Sequence, residues 1–136
     1  MNSSYDVVVV GAGAGGLAAT SSLLKRNKKI RIAVVDPSET HDYQPGWTMV
    51  GGGIFDQQST RRSMHSLMPS GVTWVRRTVT TFIPEASSIE LDNGDRLSYS
   101  QLVVAAGLKL DFAAIPGLEE TVGKNGVTSN YRYDLA

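Results

Sequence analysis

The chain has 136 residues, 41% hydrophobic and 19% charged, which is the size and balance of one globular domain with a core of its own. Thirteen basic residues offset thirteen acidic ones, so no global field recruits nucleic acid or anionic lipid, and any anionic ligand has to be held locally. The absence of cysteine excludes disulfides, thiolate metal sites and thiol catalysis within these residues, and no apolar run approaches the ~20 residues of a membrane helix. In chain order, "YDVVVV" (Tyr5 to Val10) reads as a strand buried on both faces of a parallel sheet. After "GAGAGG", Ala14 to Arg26 reads as a helix with Leu17, Ala18, Ser21 and Leu24 on its apolar stripe, Lys25 and Arg26 at its carbonyl end and Asn27 as its stop. "IRIAVV" (Ile30 to Val35) is a second buried strand closed by Asp36, giving strand, helix and strand in the length of one βαβ unit. Pro37 to Gly53 reads as loop, and Phe55 to Met68 as a short amphipathic helical segment burying Phe55, Met64, Leu67 and Met68. Val72 to Ile83, rich in β-branched residues, is one bent strand or two. Ser88 to Leu91 and Arg96 to Tyr99 form a hairpin about Asn93-Gly94, Gln101 to Gly107 is a further buried strand, and the tail to Ala136 shows little periodicity. The start "MNSSYD" lacks the basic residues of a signal peptide, so the expected location is cytoplasmic.

Gly11, Gly13 and Gly16 fit G-x-G-x-x-G, and they directly follow a predicted strand, open a predicted helix and precede the acid at position 36 by 20 residues, counted from Gly16. In that setting Gly11 permits a tight turn, Gly13 lets backbone approach a pyrophosphate, and Gly16 lets the helix pack against the strand. The pyrophosphate rests on unpaired N–H groups at the positive helix end, an effect worth roughly 0.3 to 1 kcal/mol. Asp36 accepts hydrogen bonds from ribose hydroxyls and repels a 2′-phosphate, which disfavours NADP. FAD and NAD stay open on this pattern, because both offer ADP to the same turn. The expected fold is therefore α/β, a Rossmann-like βαβ domain with a β-rich insertion at about residues 72–99. That order, followed by "VVAAG" and "IPGL", fits a flavoprotein with two dinucleotide sites, in which a small β-meander interrupts the FAD domain.

Several residues carry a plain structural reading beside a sharper one. His41 and His65 have no matching carboxylate constellation and read as surface or loop residues rather than acid–base catalysts. Tyr43 and Trp47 stack near a flavin or anchor their loop. Arg61, Arg62, Arg76 and Arg77 read as a solvated face. Gly51 to Gly53 allow close cofactor approach or act as a hinge. No G-x-S-x-G elbow is present, which argues against a hydrolase.

The segments "VVVVGAGAGG", "VVDPSETHDYQPGWTMVGGG", "MPSGVTWV", "LVVAAGLKLDF", "IPGL" and "SNY" resemble the N-terminal part of sulfide:quinone oxidoreductases, flavoproteins of the pyridine nucleotide-disulfide oxidoreductase superfamily. The Tyr-Gln-Pro-x-Trp-Thr core is much more specific than the glycine motif. The resemblance implies FAD as cofactor, with Gly11, Gly13, Ala14, Gly15 and Gly16 along the diphosphate, Asp36 on the adenosine ribose, Gln44 as a loop contact, Val79 offering backbone groups to the adenine side, and Ala106 and Gly107 passing the cofactor closely. Asp36 replaces a more usual Glu. It further implies that residues 1–136 are the first section of a larger enzyme, incomplete relative to the family, which oxidises sulfide and passes two electrons through FAD to quinone. In the family the redox cysteines, the quinone pocket and the membrane-binding helices lie beyond the matched part, and intact members are peripheral to the membrane. The expectation is accordingly no catalytic residue and no metal site within the chain, no turnover of the chain alone, and self-association or a complementing chain at an uncovered sheet edge. Related flavoproteins (flavocytochrome c sulfide dehydrogenase, or an alternative NADH dehydrogenase) and a non-catalytic nucleotide-binding module are the competing readings.

Overall fold

The computed structural model describes residues 2–136. In chain order the elements are β1 (Asn2–Val10), α1 (Ala14–Arg26), β2 (Ile32–Val35), β3 (Thr40–Asp42), α2 (Trp47–Gly51), β4 (Arg61–Ser63), α3 (Met64–Leu67), β5 (Thr73–Val75), β6 (Val79–Ile83), β7 (Ser88–Leu91), β8 (Arg96–Val104) and α4 (Leu118–Thr121). The chain forms two compact units, Met1–His41 with Ser63–Gly107, and Asp42–Arg62 with Leu108–Ala136. It passes from one to the other along β3 and back along β4, which pair as a two-stranded sheet.

The first unit is a mixed α/β fold around a six-stranded sheet of order β5-β2-β1-β8-β7-β6, parallel from β5 through β8 and antiparallel beyond. Parallel register sets Val7 beside Ile32 and Val8 beside Ala33, so the two strands send matching side chains to each face. Val7, Val9, Ile32 and Val34 meet Leu17, Leu23 and Leu24 of α1 and the buried Met64. Val8, Val10, Ala33 and Val35 meet Ile89, Leu91 and Leu97. Four consecutive buried positions in each strand follow from this double cover, a helix on one face and strand residues on the other.

Helix α1 begins and ends where its sequence indicates, and the Asn27 N–H bonds the Leu23 carbonyl at its end. Its buried face differs from the expected stripe. Gly16 and Thr20 are buried, whereas Ala18 and Ser21 are exposed. The cause is Gly16, whose missing Cβ brings the helix against the Gly11 carbonyl and Val9 and so sets its rotation. The second strand starts at Ile32 rather than Ile30, because the Arg31 N–H is taken by the Asp6 carboxylate at 2.8 Å.

Three further expectations are corrected. The stretch Phe55 to Met68 is not one amphipathic helix: Gln57–Thr60 is a 3₁₀ turn, β4 follows, and α3 is a single turn in which Met64 is buried while Phe55 is 44% exposed. The backbone of Thr60 is used instead by the Tyr43 N–H, which bonds its carbonyl at 2.8 Å. Residues 37–53 contain β3 and α2 rather than loop alone. The run Val72 to Ile83, expected as one bent strand or two, is two, β5 and β6, which lie at opposite edges of the sheet. A tight turn separates them, with the Arg77 N–H bonded to the Val75 carbonyl at 2.9 Å. Conversely, the hairpin arm Arg96 to Tyr99 and the strand expected at Gln101 to Gly107 are one strand, β8, ending at Val104, and Val104 is 58% exposed. Its first residues pair with β7 and its whole length with β1, which carries β1 back to Asn2. Among the described residues no strand pairs with the stretch 100–104 on the side away from β1.

The second unit is built from short turns around Trp47, which is 6% exposed. The Trp47 indole N–H donates to Thr60 Oγ1 at 3.2 Å, and its ring meets Tyr133 edge to face. Gln57 donates to the Tyr133 carbonyl at 2.6 Å, and the Arg61 guanidinium lies 3.5 Å from the Tyr133 ring centre while gripping Asp42 with two hydrogen bonds of 2.6 and 2.7 Å. The tail that lacks periodicity in sequence is held here by side chains far away in the chain.

Candidate functional site

The site grows from the end of β1. Gly11 has φ +97°, and a Cβ there would collide with the Ala105 carbonyl at the end of β8, so both backbone shape and space require glycine. A Cβ on Gly16 would collide with the Gly11 carbonyl. Gly13 differs: its φ is −67° and a Cβ would meet nothing within 4 Å. Gly15 also leaves room, with only the Ala105 methyl near, at 3.8 Å. Two of the motif glycines are thus demanded by the protein's own packing, while Gly13 stands beside free space, where the motif's physics puts a pyrophosphate.

Gly13 is the N-cap of α1 and supplies no side-chain cap, and no acid occupies the first turn. The Gly11 N–H bonds the Val35 carbonyl at 2.8 Å and the Ala12 N–H bonds Asp36 Oδ2 at 2.7 Å. The free donors therefore begin at Gly13 and continue through Ala14, Gly15 and Gly16, the groups a helix leaves without intrahelical partners. A helix of 13 residues adds a positive end at the same place.

Asp36 is fixed in the same corner. Its N–H bonds the Val75 carbonyl at 3.1 Å, its own carbonyl accepts from the Trp74 indole at 3.0 Å, and its second carboxylate oxygen accepts from the Ser38 N–H at 2.8 Å. Each carboxylate oxygen keeps a further lone-pair direction for a hydroxyl donor. A cleft of about 330 Å³ opens at this corner, lined among others by Gly11, Asp36, Pro37, Val79, Phe82 and Ala106.

Of the residues singled out in sequence, Gly11, Asp36, Val79 and Ala106 share this cleft, and Gly13, Ala14, Gly15 and Gly16 form the adjoining turn and first helical turn. Gly107, at φ +77°, ends the first unit just beyond Ala106 and does not line the cleft. Gln44 belongs to the second unit, where its amide donates to the Asn130 carbonyl at 3.1 Å. His65 is exposed. His41, read from sequence as a loop residue, instead places Nδ1 3.3 Å from the Ala12 carbonyl, inside the glycine turn. Phe82 and Pro37 were also invisible as lining residues, since Phe82 reaches the cleft only because β6 lies at a sheet edge. Phe82 is 45% exposed, an apolar ring open to the cleft.

This arrangement fits an ADP-containing ligand: open space beside a helix N-terminus, a fixed carboxylate at the next strand end, and an apolar-edged cleft beside it. The profile of the family described as "Pyridine nucleotide-disulphide oxidoreductase" matches residues 5–136. The mitochondrial sulfide:quinone oxidoreductase of Dictyostelium discoideum is 47% identical over 129 residues, covering 94% of this chain and 28% of that protein. The mitochondrial sulfide:quinone oxidoreductase of Mus musculus is 39% identical over 127 residues, covering 93% of this chain and 28% of that protein. Among solved structures, the sulfide:quinone oxidoreductase of Aquifex aeolicus shares the fold with a TM-score of 0.67 at 20% identity, covering 81% of this chain and 25% of that one. The chain spans less than a third of the length of the relatives it resembles.

Proposed function

This chain belongs to the pyridine nucleotide-disulphide oxidoreductase family, and from that membership we propose that it is the first FAD-binding section of a sulfide:quinone oxidoreductase-like enzyme with two dinucleotide sites. Gly13, Ala14, Gly15 and Gly16 receive the diphosphate on their N–H groups, Asp36 takes the adenosine ribose, Val79 offers backbone groups to the adenine side, and Ala106 passes the cofactor closely. FAD, when bound, supplies the two-electron store between sulfide and quinone. The observation that carries the reading is the free donor row at α1 beside the fixed Asp36 carboxylate and its cleft. Gln44 and Gly107 contact the same cofactor in the intact enzyme. With no cysteine to capture sulfur, the 136 residues do not turn over alone.

The intact enzyme oxidises sulfide, reduces quinone and lies peripheral to a membrane; among the described residues no helix is long and apolar enough to cross one. The unpaired side of β8 at residues 100–104, with Val104 exposed, is covered in the intact enzyme by further chain, and the isolated section self-associates there. Sedimentation at high concentration is expected to show oligomers, and a clean monomer argues against that coverage.

Calorimetric titration of the chain with FAD, ADP and 2′-phospho-ADP tests the nucleotide reading. FAD and ADP are expected to bind, and the 2′-phosphorylated nucleotide to bind more weakly because of the Asp36 carboxylate. No binding of ADP, or equal binding of the 2′-phosphate, defeats the assignment. For the intact polypeptide, a colourless protein without sulfide-dependent quinone reduction defeats the activity.

A further inference from the structure

We propose that His41 is a positioning residue for the diphosphate turn, aiming the Gly13 N–H through the Ala12–Gly13 peptide. The inference rests on the nucleotide reading above and concerns a side chain that the glycine motif does not include. The Ala12 carbonyl can only accept, so the 3.3 Å contact requires a proton on His41 Nδ1, either as the neutral Nδ1–H form or as the cation. The carbonyl of residue 12 and the N–H of residue 13 belong to one planar, trans peptide and point in opposite directions. Holding the carbonyl therefore fixes where the Gly13 N–H points.

Gly13 needs such help. It has no side chain to limit its rotation, and a Cβ there would meet nothing within 4 Å. The peptide on the other side of Ala12 is already held, since the Ala12 N–H bonds Asp36 Oδ2 at 2.7 Å and the Gly11 carbonyl lies against Gly16. Asp36 and His41 thus pin the two peptide planes flanking Ala12, one from the end of β2 and one from β3. Ala12 itself is fully buried, which leaves its backbone groups dependent on these protein partners. Preset donors bind an anion without the cost of ordering a loop at the moment of binding.

The test compares affinities of the 136-residue chain for ADP and for adenosine in the unmodified protein, His41→Phe and His41→Asn. Phenylalanine keeps a ring but removes the donor, and asparagine restores an N–H near the Nδ1 position. His41→Phe is expected to weaken ADP by about three- to tenfold, the range of one hydrogen bond, to leave adenosine unchanged, and His41→Asn to recover most of the loss. Unchanged ADP binding in His41→Phe, an equal loss for ADP and adenosine, or no recovery with asparagine overturns the proposal while the nucleotide reading stands. If the unmodified chain binds no ADP, both fail. Nitrogen-15 NMR of the unmodified protein gives a readout that needs no variant: for the neutral ring the Nδ1–H tautomer is expected, and a ring protonated at Nε2 alone overturns the inference.

Discussion

In the sheet unit all of Val7–Val10 and Ile32–Val35 are buried, whereas among the described residues of the second unit only Gly46, Trp47 and Thr60 are. The first depends on apolar area removed from water, a non-directional effect summed over many residues. The second depends on a few directional contacts that converge on Trp47 and Tyr133. Loss of one aliphatic side chain therefore acts on the sheet, and loss of one geometry acts on the second unit. The chain carries one tryptophan in each, Trp74 in the sheet unit and Trp47 in the other, so each unit reports its own unfolding.

The strongest way to break this contrast is Ile32→Ala. Ile32 is 1% exposed and packs with Val34 and Met64 beneath α1, so the truncation is expected to cost about 2–5 kcal/mol. Urea unfolding followed through Trp74 in a Trp47→Phe background should show a large fall in midpoint, and the Trp47 signal in a Trp74→Phe background a smaller one. Equal shifts would mean that the units unfold together and the distinction has no energetic content. Next in size is Arg61→Lys, which keeps the charge but loses the two-pronged grip on Asp42 and most of the stacking on Tyr133. About 1 kcal/mol is expected on the Trp47 transition, because the guanidinium is partly solvated. A shift seen by Trp74 alone would place the effect in the wrong unit.

The same contrast explains what could be read in advance. The βαβ segment was legible because burial on both faces leaves unbroken apolar runs, and because the glycine turn and Asp36 sit at chain positions fixed by strand and helix lengths. Its errors are errors of rotation and length: the helix faces the sheet with Gly16 and Thr20, and β8 absorbs two predicted strands. The second unit left no periodic trace, since its order comes from pairs such as Gln57 with Tyr133 and Gln44 with Asn130, far apart in sequence. His41 was missed for the same reason, as its contact with Ala12 spans 29 positions and no local pattern marks it.

Within the sheet unit, Ser88 tests whether packing dominates. It is 1% exposed, and its hydroxyl has no hydrogen-bond partner among the described residues. Ser88→Ala removes a buried polar group without opening much space and is expected to raise stability by up to about 1 kcal/mol. A loss of stability would show that the hydroxyl is satisfied in solution and that β7 relies on it.

The smallest expected effect concerns the start of β2. The Arg31 backbone N–H, and secondly its guanidinium at 3.1 Å, hold the Asp6 carboxyl below its ordinary pKa. A carboxyl whose folded pKa is depressed contributes stability that is fully present above its unfolded pKa, about 4, and is lost as pH falls through the folded value. Unmodified protein should therefore be more stable than Asp6→Asn at neutral pH, with the gap closing as pH falls below about 4 and through the folded value. Because Asp6 is solvent-exposed, the gap is small, and thermal melts of both proteins across that range measure it. The first-ranked cause is a bond to backbone rather than a charge pair, so adding salt at about 0.5 M, which screens exposed charges, should shrink the gap only in part. A gap that vanishes in salt at neutral pH would assign the effect to the Arg31 guanidinium, and Asp6 would then have no part in delaying β2 to Ile32.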